Sequence, residues 1–244
     1  MTCLLAALAF LIPISTPCQA QKPMALEEAK AVIQSMQKAH AALDDYVTVL
    51  HEKKIIDDGE SRTDRILLKF KKPYSVYLHW MDGDDQGREV IYIEGAYDGK
   101  MWVHNGSFPD ITLCLSPELC QSLANARHSV KETGLGYIVD TIARDLDQSN
   151  GRPVHQVKCW DHGERVVLGE VSRCLELVSP PREDSSFYNH RAYLCQSQRT
   201  GLLNKIKVWD FQNKLVEDYG FENTMKNVGL TAKDFDPENP DYKF

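Results

Sequence analysis

The chain has 244 residues, with 28 Lys and Arg against 35 Asp and Glu, for a formal net charge of −7. Apolar residues make up 43% and charged residues 26%, which excludes collagen-like and low-complexity chains, and the acidic balance argues against a nucleic-acid binder, whose footprint is a basic face. No apolar run reaches the roughly 18 residues of a membrane span, and the seven cysteines are too few for a small disulfide scaffold.

Residues 1–20 contain no charge. Leu4 to Ile14 is apolar, broken by Pro13, and has the length of a signal-peptide h-region. Cys18-Gln19-Ala20 supplies small residues at the −3 and −1 positions. We therefore read residues 1–20 as a signal peptide cleaved before Gln21, although no Lys or Arg marks an n-region. Residues 21–244 are then a single domain, periplasmic or secreted. A lipobox fits poorly, because Ser15-Thr16-Pro17 precedes Cys18. Cleavage removes Cys3 and Cys18 and leaves Cys114, Cys120, Cys159, Cys174 and Cys195.

The mature chain opens on a helix. Leu26, Ala29, Ile33, Met36, Ala39 (or His40) and Leu43 recur at helical spacing over Ala25 to Leu43. Strands follow. Tyr46 to Ile56 is β-branched, and Asp57-Asp58-Gly59 reads as a turn. Over Arg65 to Phe70 and Val76 to Met81, alternate residues share a face. Arg88 to Glu94 and Lys100 to His104 are two shorter strands around Asp98-Gly99. Ser116-Pro117-Glu118 has the order N-cap, N1 proline and early acid, which predicts a short helix to about Ala126. A further helix capped by Thr133 carries Leu135, Ile138, Val139, Ile142 and Leu146 on one face and stops at Asn150-Gly151. Strands resume at Val154 to Trp160, Val166 to Val178, Tyr188 to Gln196, Leu202 to Phe211 and Lys214 to Phe221. The Asp/Asn/Pro-rich tail from Asp234 reads as irregular. This is an α+β pattern: an antiparallel meander whose apolar face the helices must cover.

Several long motifs are distinctive. Lys72-Pro73-Tyr74-Ser75-Val76-Tyr77-Leu78 precedes Gly87-Arg88-Glu89-Val90-Ile91-Tyr92-Ile93-Glu94-Gly95, then Asp98-Gly99-Lys100 and His104. Near the end stand Glu217-Asp218-Tyr219-Gly220-Phe221-Glu222-Asn223, Asn227-Val228-Gly229-Leu230-Thr231 and the run from Asp234 to Phe244. This series resembles a family of secreted bacterial proteins, the domain of unknown function 1571, over roughly residues 26 to 244. More remotely it is similar to the LolA/LolB periplasmic lipoprotein carriers. The resemblance implies a curved, unclosed antiparallel β-barrel with helices covering its concave face, and an apolar cavity for acyl chains. Fold likeness alone does not establish function.

The residues are compatible with such a cavity. Ile66, Leu68 and Phe70, then Val76, Leu78 and Trp80, then Met101 and Val103 are inward candidates on three strands, with Leu135, Ile138 and Ile142 on the helix side. Ordinary core packing gives the same pattern. A carrier needs a void above roughly 300 Å³ between helices and sheet; a filled interior makes the domain an envelope interaction module instead.

Chemistry-bearing patterns are sparse. His155, Cys159 and His162 supply three possible metal ligands, but a structural zinc site needs a fourth. The oxygen-rich tail lacks the glycine and distal glutamate of a calcium loop, and Asx turns account for it. No G-x-S-x-G or H-E-x-x-H occurs. A Cys/His pair from Cys114 or Cys120 with His104 or His128 competes with a Cys114–Cys120 disulfide, and we expect the bridge. A hairpin centred between Arg182 and Glu183 puts Cys174 opposite Arg191, so a Cys174–Cys195 bond needs a slipped register. Asn105-Gly106-Ser107 is a glycosylation sequon, silent in most bacteria. Lys69, Lys71, Lys72 and Arg65 read as a solvated strand edge. We assign no catalytic, cofactor-binding or metal-ligating residue, and expect no enzyme activity. The expected partner is a hydrophobic small molecule, lipid or lipoprotein, or an envelope protein, with no nucleic acid and no membrane span.

Overall fold

The computed structural model describes residues 21–55, 61–123, 127–148, 157–180 and 187–244. The expected signal peptide at 1–20, the expected turn at 57–59, His155 and the expected helix stop at Asn150-Gly151 lie outside them.

In chain order the described residues form β1 (Lys22–Met24), α1 (Leu26–Ala41), β2 (Asp45–Ile55), β3 (Ser61–Lys71), β4 (Ser75–Trp80), β5 (Glu89–Ile93), β6 (Met101–His104), β7 (Thr112–Leu115), α2 (Pro117–Leu123), α3 (Leu135–Gln148), β8 (Lys158–Val167), β9 (Glu170–Val178), β10 (Arg191–Ser197), β11 (Leu203–Trp209) and β12 (Leu215–Lys226). The strands make one antiparallel sheet in the order β1-β8-β9-β10-β11-β12-β2-β3-β4-β5-β6-β7. Its two edges, β1 and β7, do not pair, so the barrel is unclosed.

α1 and α2 begin where the sequence signals them, but Thr133 does not cap α3: it closes the 3-10 turn Val130–Glu132, and α3 starts at Leu135. α1 has Glu27 and Glu28 in its first turn and Lys38 and His40 in its last, charges that suit the helix dipole. Ser116 Oγ accepts from Leu119 N at 3.2 Å and starts α2. α1 and α3 cross closely: an added Cβ on Gly136 would come within 2.5 Å of the His40 ring. Gln37 donates to Asp140 (2.7 Å), and Lys30 lies 3.4 Å from Asp147.

Ile66, Leu68 and Phe70 face the helices, and Lys69 faces away, as the alternation requires. β3 lies between β2 and β4, so the basic residues near it are not a strand edge; three of them are ties. Lys72 Nζ donates to the carbonyls of His40 and Ala41 at the end of α1, Arg65 pairs with Asp82, and Lys69 reaches Asp234.

A second, smaller core lies on the outer face. The C-terminal segment crosses it as a strap, setting Leu230, Phe235, Tyr242 and Phe244 against Tyr77, Ile91 and Trp102. Tyr242 stacks on Tyr77 at 4.2 Å. The buried Asp45 carboxylate pins the start of the strap, accepting from the backbone of Val228, Gly229 and Leu230. Asp236 and Asn239 make the expected Asx turns, each accepting from the backbone two residues on.

Three sequence readings are corrected. β8 runs on across the gap that the sequence reading left between Trp160 and Val166, with a bulge at Asp161 to Gly163, where Asp161 Oδ1 accepts from Gly163 N–H at 2.6 Å. The hairpin turn is Leu168-Gly169, both at positive φ. β1 and β7 escaped detection, because three or four residues do not establish a period.

The disulfide is Cys174–Cys195, not Cys114–Cys120. Cys114 is exposed and paired with Trp102, whose side chain lies on the outer face. Cys120 packs against the inner core, so the sheet separates the two sulfurs. Cys195 sits directly opposite Cys174, in the slipped register that the bond requires.

Candidate functional site

The inner face of the sheet and the helices on it hold all eleven cavity candidates. Ile66, Leu68, Phe70, Val76, Leu78, Met101, Leu135 and Ile142 are buried; Trp80, Val103 and Ile138 are half-buried and packed against them. They meet one another and α1 in a single cluster. The eleven residues share one side of the sheet, and in this structure that side is covered. An open groove of about 880 Å³ lies elsewhere, along Glu170, Val171, Arg199 and Met225 beyond the β8–β9 turn.

The segment 127–148, comprising a 3-10 turn and α3, is tied to the sheet by three polar attachments. Tyr74 Oη lies 2.9 Å from the carbonyl oxygens of both Val130 and Thr133. Leu135 N donates to Tyr46 Oη at 3.1 Å, in a fully buried position. The two rings belong to an aromatic row: Tyr46 stacks on Phe70 (5.1 Å), which meets Tyr74 edge-on (5.4 Å), which meets Tyr92 (6.0 Å).

The third attachment is a cluster of charged groups. Glu217 on β12 points inward with Tyr219 and Phe221, and its side chain is 4% exposed. Its Oε1 accepts from Arg127 Nε (2.7 Å), His128 Nε2 (3.2 Å) and Tyr188 Oη. Arg127 Nε also reaches Tyr188 Oη at 3.0 Å, and its guanidinium lies 5.1 Å from the centre of that ring. On its other side His128 Nδ1 is 3.0 Å from Glu132 Oε2. Burial opposes the charge on Glu217, yet His128, Tyr188 and Arg127 together hold its carboxyl below the usual range. Nearby, Asp145 of α3 accepts from Tyr188 N at 3.0 Å through one oxygen, while its other is buried without a hydrogen bond. Burial pushes this carboxyl up to about 6.

The sequence reading missed this cluster, and weighed His128 only as a partner for cysteine. The signal was present: Glu217 occupies an apolar, inward phase of β12, alternating with Tyr219 and Phe221. A carboxylate in that phase needs partners. Arg127, Tyr188 and Glu132 hold and orient the Glu217–His128 pair.

The other chemical candidates separate. Cys159 is buried on the inner face, and burial pushes its thiol up to about 11. His162 lies on the outer face against Glu176 (2.8 Å) and the Tyr193 ring. Among the described residues no group of three or more His, Cys, Asp or Glu is placed to hold a metal. Among them, too, no helix is long and apolar enough to cross a membrane.

A model of the family described as "Protein of unknown function (DUF1571)" matches residues 43–244. No curated protein matches the chain. Among solved structures the chain is similar to MucB, known also in the Pseudomonas aeruginosa MucA/MucB complex; MucB alone is 15% identical over 86% of this chain and 62% of that one, with a TM-score of 0.50. It is also similar to the Mycobacterium tuberculosis lipoprotein LppX (12% identity, 83% of this chain, 96% of that one, TM-score 0.49) and to a LolA superfamily protein from Nitrosomonas europaea (12%, 85% and 97%, TM-score 0.36). At such identities these likenesses concern the fold alone. The unclosed, LolA-like antiparallel barrel with helices on one face is the fold that the sequence resemblance implied.

Proposed function

The chain belongs to the DUF1571 family, and from its LolA-like fold we propose that it is a periplasmic or secreted carrier of a hydrophobic ligand, a lipid or lipidated polypeptide, with no covalent catalysis. The ligand site is the inner sheet face beneath α3. The observation that carries this reading is the way the helical layer is attached. Segment 127–148, through residues that include Leu135, packs in one cluster with sheet residues that include Leu68 and Leu78, and its polar ties to the sheet are hydroxyls and one ion cluster. Hydroxyl ties are individually worth about 1 kcal/mol and bonds to charged groups about 1.5–3 kcal/mol; in this reading the segment lifts as a lid while the sheet stays whole. The eleven candidates pack in one cluster, so the standing void that the sequence reading asked of a carrier is not seen beneath α3 among the described residues, and carriage requires this segment to open.

Titration with a fluorescent fatty acid tests the proposal. Saturable binding that is lost in Trp80→Asp, with the circular dichroism spectrum unchanged, supports it. Absence of binding by the folded wild-type chain contradicts it.

A second reading has an observation of its own. All eleven candidate residues sit in one packed cluster, which suits an envelope interaction domain whose interior is permanently filled. The same titration separates the two.

A further inference from the structure

We infer that His128 is a proton-operated latch that holds the helical segment 127–148 on the sheet. Its ring lies between two carboxylates: Nδ1 is 3.0 Å from Glu132 Oε2, and Nε2 is 3.2 Å from Glu217 Oε1 and 2.8 Å from Tyr188 Oη. Neutral imidazole carries one N–H and imidazolium carries two. Tyr188 gives its own proton to Glu217, so towards His128 Nε2 and Arg127 Nε its oxygen can only accept. With Tyr188 donating to Glu217, both ring nitrogens face acceptors, and the network is complete when both donate. When the proton is lost, one nitrogen turns a lone pair on a carboxylate, or Tyr188 swings its hydroxyl from Glu217 to His128 and the buried carboxylate loses a donor.

The charge count agrees. Arg127 and His128 balance Glu132 and Glu217 when the imidazole is protonated; deprotonation leaves one excess negative charge around a carboxylate that is 4% exposed. The members come from three places. Arg127, His128 and Glu132 precede α3, Tyr188 precedes β10, and Glu217 lies on β12. Breaking the cluster therefore removes one of the three polar attachments between the helical segment and the sheet. Around the cluster, Tyr137 of α3 packs on the His128 ring at 5.7 Å, Tyr219 lies on the inner face near Glu217 and Tyr188 and also feels Glu52, and Asp145 connects through the backbone of Tyr188. Two further cations are engaged elsewhere: Arg144 acts on Tyr137 and Asp145, and Lys131 pairs with Glu118 at 2.7 Å.

The direction of the switch follows. Burial works against a charged His128, but Glu217 and Glu132 outweigh it and hold its pKa above the ordinary value. A group raised in this way stabilises the latched state fully below about pH 6.5, and that contribution is lost as pH rises through the raised value. The latch is shut in acid and loosens in base. This goes beyond the carrier reading and holds whether or not a lipid binds.

The test is amide hydrogen exchange of the ligand-free full chain between about pH 5 and 9, corrected for intrinsic rates, with the His128 imidazole titrated in parallel by NMR. Protection over residues 135–148 should fall severalfold as His128 loses its proton, while the β3–β4 hairpin keeps its protection. Glu132→Gln can donate to a neutral Nδ1, so it should move the His128 pKa and the opening midpoint downward together. Protection that stays flat while His128 titrates would overturn the inference. So would a Glu132→Gln chain in which the pKa moves and the midpoint does not.

Discussion

Tyr74→Phe isolates one tie between lid and sheet. The substitution removes only the hydroxyl that lies 2.9 Å from the Val130 and Thr133 carbonyls. The ring stays, with its edge contacts to Phe70 at 5.4 Å and Tyr92 at 6.0 Å, so packing is preserved. One proton serves both carbonyls, and both lose their donor where the chain enters α3. Loss of such a partly buried hydrogen bond costs about 1–2 kcal/mol. If the loss falls on lid opening, exchange of residues 135–148 accelerates by roughly 5–30-fold. If it falls on global unfolding, the melting temperature drops by roughly 2–8 °C. Hydrogen exchange resolved by peptide distinguishes these: we expect the acceleration to concentrate on 127–148, with β2, β3 and β4 little changed. Equal acceleration of sheet and lid, or no change in either, would refute the idea that this hydroxyl fastens a separable lid.

Other substitutions test neighbouring parts of the account. Replacing both Cys174 and Cys195 by Ser should lower stability by about 3 kcal/mol, from the loop the bond closes, in urea titration. In the wild type, thiol labelling of the folded chain should reach the exposed Cys114 first and the buried Cys159 last; rapid labelling of Cys174 would contradict the bond. Leu68→Ala should cost about 2–5 kcal/mol if the inner face is packed in the closed state, and a loss below 1 kcal/mol would indicate an empty space at that point. Asp145→Asn tests the raised carboxyl. Its proton stabilises the fold below the ordinary value of about 3.9, and that contribution is lost as pH rises through about 6. Asparagine keeps an acceptor for Tyr188 N–H, so stability of the variant should stay flat across that window where the wild type declines.

Much of the fold was legible because its period is strong. β3 and β4 alternate over six or more residues, and α1 and α3 repeat every three or four, so their buried faces follow from spacing alone. The edge strands were illegible for the opposite reason: β1 pairs through three residues and has a proline at its centre. The disulfide was misjudged because spacing says nothing about faces. Cys114 and Cys120 are close in sequence, but β7 and α2 put them on opposite sides of the sheet, whereas Cys174 and Cys195 meet only through the register of β9 and β10. The cluster around Glu217 draws on residues separated by up to 90 positions, Arg127 to Glu217, so no local motif could expose it. The one signal that pointed to it, and was overlooked, was a violation: one carboxylate in an apolar phase. The same apolar pattern served both a packed core and a closed cavity, and sequence could not separate them.

Native mass spectrometry of the protein purified from its own cell envelope tests the central claim most directly. Carriage of a hydrophobic ligand predicts a population heavier by the mass of a bound lipid or acylated peptide, released on collisional activation, and lost from Trp80→Asp chains that remain folded. A uniformly bare mass, together with failure of the folded protein to take up a fluorescent fatty acid, would contradict the carrier.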